Sequence, residues 1–117
     1  MPGTVVIFHN PGCSKSRATL GLLEEHDISL QIIEYLKIPL NKNIIEDILE
    51  KLGKQPRDIM RKNEMLYASN QLGNENLSDS KLIQAIIQNP ILMERPIVLA
   101  NNKAAIGRPP ESVLKII

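Results

Sequence analysis

The sequence predicts an α/β fold, with a βαβ half and a ββα half sharing one mixed four-stranded sheet. Three observations carry this. A β-branched run, "TVVIF", is followed by a helical stretch and a second apolar run, "LQIIEY". Near the other end, "RPIVLA" and "KAAIG" flank the turn residues Asn101-Asn102. Between these halves the apolar spacing is helical throughout.

Each element follows in order. Thr4 to Phe8 reads as a buried strand broken by Pro11-Gly12. Ser14 to about His26 reads as a helix, with Ala18, Leu22 and Leu23 on one face and Glu24 and Glu25 on the other. Leu30 to Tyr35 is the second strand, parallel to the first through a right-handed crossover. Asn43 with Glu46 has the spacing of a capping box. Ile44, Ile45, Ile48, Leu49 and Leu52 keep helical spacing up to a stop at Gly53. The segment "QPRDIMRKNEMLYASNQLG" predicts one or two short helices. Ser78 predicts an N-cap, with Leu77 and Leu82 placed for a hydrophobic staple, for a helix running to Asn89-Pro90. The two late strands form a hairpin. "RPPESVLKII" closes with a helix, Pro110 near its first turn. This order is the thioredoxin plan on a single domain, 1–117, with a helical insertion at about 40–93. Pro96 then stands where that plan often has a cis-proline beside the active thiol.

Bulk properties narrow the function. A chain of 117 residues with 43% hydrophobic and 23% charged residues is the size and composition of one packed domain. A net charge of +1 and 3% aromatics argue against nucleic acid as partner. No apolar run approaches the ~20 residues of a membrane span. The N-terminus lacks a signal-peptide pattern, and a single cysteine suits a reducing cytoplasm. One Cys and two His make a poor metal set, so no metal is expected. A monomer is the default, since no exposed apolar stripe is evident.

The lone cysteine, Cys13, lies in "FHNPGCSKSRATL", at the turn between the first strand and the first helix. Helix N-termini carry unpaired N–H groups, here those of Lys15 and Ser16, and about half a positive charge. Lys15, Arg17 and His9 add positive potential, and Gly12 leaves the sulfur open to approach. Such surroundings lower a thiol pKa from ~8.5 toward ~3.5–7.5. Cys13 therefore reads as a nucleophile rather than a core filler. Asn10 stands where a Cys-x-x-Cys pair would place its first thiol, so no internal resolving thiol exists. Thr19 stands where a Cys-x5-Arg phosphatase loop needs arginine. Oxyanion-binding arginines must come from elsewhere, and Arg61, Arg95 and Arg108 are the candidates, the last two each followed by proline.

The strings "FHNPGCSKSR", "MRKNE" and "ERPIVLANNKAAIGRPPE", in this order, resemble the glutaredoxin-linked arsenate reductases of the ArsC family, specifically its short, housekeeping-like members. The likeness covers Val5 to Ile117. It implies Cys13 as the catalytic cysteine and Arg61, Arg95 and Arg108 as the oxyanion-binding arginines. It implies His9 as a histidine that helps lower the thiol pKa, with Asn10 and Ser16 in support. It further implies arsenate as substrate, glutathione as co-substrate, glutaredoxin as partner, no bound cofactor, and a role in arsenic detoxification. The same fold family includes Spx-like transcription regulators that bind RNA polymerase. Those typically carry Cys-x-x-Cys and lack the "RPP" arginine, whereas this chain has Asn10 and Arg108.

Overall fold

A computed structural model describes residues 4–117 and divides the chain into two compact units. The described residues through Ile38, together with Arg95–Ile117, form the first; Pro39–Glu94 forms the second.

The first unit holds the sheet. Strands β1 (Val5–Phe8), β2 (Leu30–Ile33), β3 (Ile97–Ala100) and β4 (Lys103–Ile106) lie in the order β2-β1-β3-β4. β1 pairs with β2 in parallel and with β3 antiparallel, and β3 pairs antiparallel with β4. With helix α1 (Ser14–Glu24) crossing from β1 to β2, this is the thioredoxin-like fold that the element order predicts. Period-2 alternation puts Val5 and Ile7 on the face that Val98 and Ala100 share. There they pack with Leu23 of α1 and Val113 of the C-terminal segment, all buried. β2 stops at Ile33, two residues before the predicted end. The Glu34 carbonyl turns the chain by accepting from the Lys37 and Ile38 amides.

Helix α1 differs from its predicted face. Ala18 is exposed, and the buried positions are Ser16, Thr19 and Leu23. The end nearest Cys13 thus buries hydroxyls, and only the far end buries a large apolar side chain. The last element also differs. Pro110–Lys115 is a 3-10 helix rather than an α-helix, and it begins at the second of two consecutive prolines, with Pro109 as its N-cap. Asn101 and Asn102 take positive φ values of 52° and 63°, the geometry of a type I′ hairpin turn and one asparagine tolerates. The Arg95-Pro96 and Arg108-Pro109 peptide bonds are both cis.

One close approach joins α1 to the hairpin, beside a hydrogen bond that closes the hairpin itself. The Gly107 amide donates to the Pro96 carbonyl at 2.9 Å, extending the β3–β4 pairing past the strand ends. A Cβ on Gly107 would lie 2.5 Å from Thr19 Oγ1 and 2.7 Å from Pro96 Cγ. Neither neighbour can retreat, because Thr19 is fully buried and Pro96 is a closed ring in the core. Gly107→Ala is therefore expected to destabilise the protein by about 1–3 kcal/mol through overpacking. Urea denaturation measures it, and an unchanged midpoint would show that this contact is loose.

The second unit is helical. α2 (Lys42–Leu52) is capped by Asn41, whose carboxamide accepts from the Ile44 amide at 2.9 Å. The predicted capping box at Asn43 is thus not formed, and a simple cap stands two residues earlier, next to buried Leu40. Gly53 ends the helix at φ 66°. A 3-10 turn (Pro56–Ile59) and α3 (Met65–Ser69) follow, then α4 (Asp79–Gln88), capped by Ser78 through the Lys81 amide. Ile45, Ile48, Ile59, Leu82, Ile86 and Leu92 are buried in this unit. A bridge between Met60 and Met93 closes it. Among the described residues no helix is long and apolar enough to cross a membrane.

Candidate functional site

The site begins where β1 ends. The Asn10 carbonyl accepts from the Cys13 amide at 3.0 Å, closing a turn over Pro11-Gly12. Asparagine first and proline second suit such a turn. The Asn10 side chain accepts from the Gly12 amide at 2.9 Å, and Arg17 Nη1 donates to the Pro11 carbonyl at 2.8 Å. The turn is therefore tied both to itself and to α1. It delivers Cys13, half-buried, as the N-cap of α1 with extended backbone angles.

An N-cap side chain meets the amides of the helix's first turn. No carboxylate occupies that turn, so its positive end is left to the sulfur. Burial by itself pushes the Cys13 thiol up. The Ser16 and Lys15 backbone amides oppose this, joined by the charge and hydrogen bond of Arg95, and the thiol ends below its ordinary value. Arg108 Nη2 lies 3.8 Å from Cys13 Sγ, while its Nε donates to the Arg95 carbonyl at 2.9 Å. Arg108 thus touches the sulfur and braces the backbone that carries Arg95. Both arginines border the hairpin ends that Gly107 and Pro96 lock together.

His9 acts differently from the expectation of positive potential. Alternation carries it onto the α1 side of the sheet, where it is buried at 6% exposure. Burial lowers its pKa; Glu34 and Glu24 pull the other way, and Arg17 reinforces the fall. The imidazole is therefore neutral at neutral pH. Its Nδ1 lies 2.7 Å from Ser16 Oγ, which also accepts from the Asn10 amide at 3.0 Å. His9 and Asn10 thus hold Ser16, and the Ser16 amide faces the sulfur.

Cys13, Arg95, Arg108, His9, Asn10 and Ser16 all belong to the first unit. Arg61 belongs to the second. There its amide donates to the Leu92 carbonyl at 2.6 Å, and its Nη1 pairs with Glu64 Oε1 at 2.6 Å. Thr19 and Gly107 were not among the residues expected from sequence. In sequence Thr19 stands out only as the absent arginine of a Cys-x5-Arg loop and Gly107 only as the end of an apolar run, because the contact joins opposite ends of the chain.

A model described as the ArsC family matches residues 8–116. The chain is 49% identical to the uncharacterized protein YfgD of Escherichia coli K12, over all of this chain and 99% of that protein. It is 47% identical to an arsenate reductase of Neisseria meningitidis, over 97% of both. The solved arsenate reductase from Vibrio cholerae superposes with a TM-score of 0.94 at 46% identity, covering 97% of this chain and 98% of that one. The matched span runs from the end of β1 through the C-terminal 3-10 helix, and so takes in the Cys13 turn and both hairpin arginines. By sequence and by fold, the chain belongs to the ArsC family.

Proposed function

We propose that this protein reduces arsenate to arsenite, with Cys13 as nucleophile and with glutathione and glutaredoxin as reductants. The observation that carries the reading is the convergence of Arg95, Arg108 and the first-turn amides of α1 on one acidified thiol. Guanidinium forks suit a tetrahedral oxyanion, and the nearness of Arg108 to the sulfur supports the reading. The names of the relatives support arsenate as that oxyanion.

The steps balance as follows. The Cys13 thiolate bonds to As(V) and displaces hydroxide or water. Glutathione, through its thiol, replaces a second oxygen. A glutaredoxin thiolate then attacks the glutathione sulfur and forms a mixed disulfide. The electron pair of the broken As–S bond stays on arsenic, which becomes As(III) still held by Cys13. Water releases arsenite and restores the thiol. Arg61 is proposed as a third oxyanion ligand, as the family resemblance implies. With a single cysteine in the chain, both further thiols come from solution.

The test is a coupled assay of the purified protein with arsenate, glutathione, glutaredoxin, glutathione reductase and NADPH. NADPH oxidation that requires every component is expected. No turnover at millimolar arsenate would remove the arsenate reading. Turnover that survives omission of glutaredoxin but needs thioredoxin would replace the reductant.

A further inference from the structure

Thr19 sits one helical turn beyond Lys15 on α1, facing the hairpin. Its side chain is fully buried, and its hydroxyl donates to the Lys15 carbonyl at 2.8 Å. The Lys15 carbonyl and the Ser16 N–H belong to the same peptide group. Cys13 is the N-cap and Ser16 the third helical residue, so that N–H is one of those an N-cap side chain meets. The hydroxyl thus engages the peptide at its oxygen, and the N–H at its other end is one of the two amides that lower the Cys13 thiol. Hydrogen bonds in series through one polarisable group strengthen each other, by roughly 10–30% per bond. On its other side, Thr19 Oγ1 lies where a Gly107 side chain would otherwise be, against Pro96.

We propose that Thr19 is a positioning residue for the Cys13 nucleophile: its hydroxyl polarises the Lys15–Ser16 peptide toward the sulfur and wedges that peptide against the arginine-bearing hairpin at Gly107. Threonine hydroxyls bonded to the carbonyl four residues back are common in helices, where they simply satisfy a buried group. Two features set this one apart. The carbonyl it engages belongs to one of the two peptides whose N–H groups act on the thiol. Its only open side is closed by a glycine that admits no side chain. The charged groups around the sulfur are Arg95 and Arg108 from the hairpin ends and Lys15 and Arg17 on α1, while His9 is neutral behind Ser16. All remain in place when Thr19 changes, so an isosteric substitution isolates the hydroxyl.

This inference rests on Cys13 being the reactive thiol, but not on arsenate. The experiment is the pH dependence of iodoacetamide alkylation of the intact protein, without arsenate or reductants. Thr19→Val is expected to raise the thiol pKa, leaving about two- to threefold less thiolate at a pH below the wild-type midpoint. The plateau rate at high pH should be unchanged. Thr19→Ser restores the hydroxyl and is expected to recover most of the wild-type curve. Circular dichroism and urea midpoints identify a variant that fails to fold, and Thr19→Ala, which also removes the hydroxyl, then carries the comparison with the same expected shift. A Thr19→Val curve that superposes on wild type overturns the proposal, as does a Thr19→Ser curve shifted as far as that of Thr19→Val. Loss of arsenate turnover with an unshifted thiol would implicate packing alone.

Discussion

Cys13→Ser is expected to bring arsenate reduction to the background of the assay while leaving the fold intact. The sulfur supplies two properties that oxygen cannot. It ionises below its ordinary range under the Ser16 and Lys15 amides and Arg95, and as a soft donor it bonds readily to arsenic. A serine hydroxyl in the same place remains protonated and hard. Yet serine is among the preferred residues at an N-cap, the position Cys13 occupies, and could add about 0.5–1 kcal/mol at mildly acid pH. The sign of the pH dependence follows from the thiol. Its folded pKa lies below the unfolded one, so it stabilises the wild type fully above the unfolded value and loses that contribution as pH falls through the folded value. The variant lacks this contribution, so wild type should gain on it as pH rises. Thermal melts across pH beside the coupled assay check both parts. Residual turnover comparable to wild type would exclude Cys13 as nucleophile.

Arg95→Ala and Arg108→Ala are each expected to lower kcat/KM for arsenate by about 10- to 100-fold, the loss of charge-assisted hydrogen bonds worth roughly 1.5–3 kcal/mol. The two should differ in kind. Arg95 acts on the thiol by charge and hydrogen bond, so its loss also shifts the pH profile upward. Arg108 stands 3.8 Å from the sulfur and donates to the Arg95 carbonyl, so its loss loosens Arg95 and weighs chiefly on KM. Lysine at either position retains charge without the planar fork and should recover only part of the activity. Kinetics indistinguishable from wild type in both variants would place the oxyanion site elsewhere.

The elements that were legible in sequence are those governed by local chemistry. Pro-Gly after "TVVIF", Gly53 after an amphipathic run, Ser78 before another, and Asn-Asn between two apolar segments each marked an end that the structure has within a residue or two. Errors arose where two local readings competed. Asn41 and Asn43 are both plausible caps, and burial of Leu40 decides for the first. Cys13 and its arginines were legible because thiol and guanidinium chemistry has few alternatives. His9 was legible as a neighbour but not in its charge, which depends on burial by residues distant in sequence. Thr19 was seen only as the arginine it is not. Nothing in a one-dimensional pattern shows that its hydroxyl meets a glycine from the opposite end of the chain.

The β3–β4 hairpin has arms of equal length joined by two residues, with Ile97 opposite Ile106 and Ala100 opposite Lys103. Arg95 and Arg108 are carried on its open end, so the number of residues in the turn sets how the two guanidiniums face each other. A single inserted or deleted residue at Asn101-Asn102 would slip one arm and send its side chains to the opposite face. Such a chain would keep the cysteine, the helix and both arginines in its sequence, yet would no longer present the arginines as a pair. A change of length at this turn is therefore expected to cost the paired arginines more than a substitution there, although the turn lies at the opposite end of the hairpin.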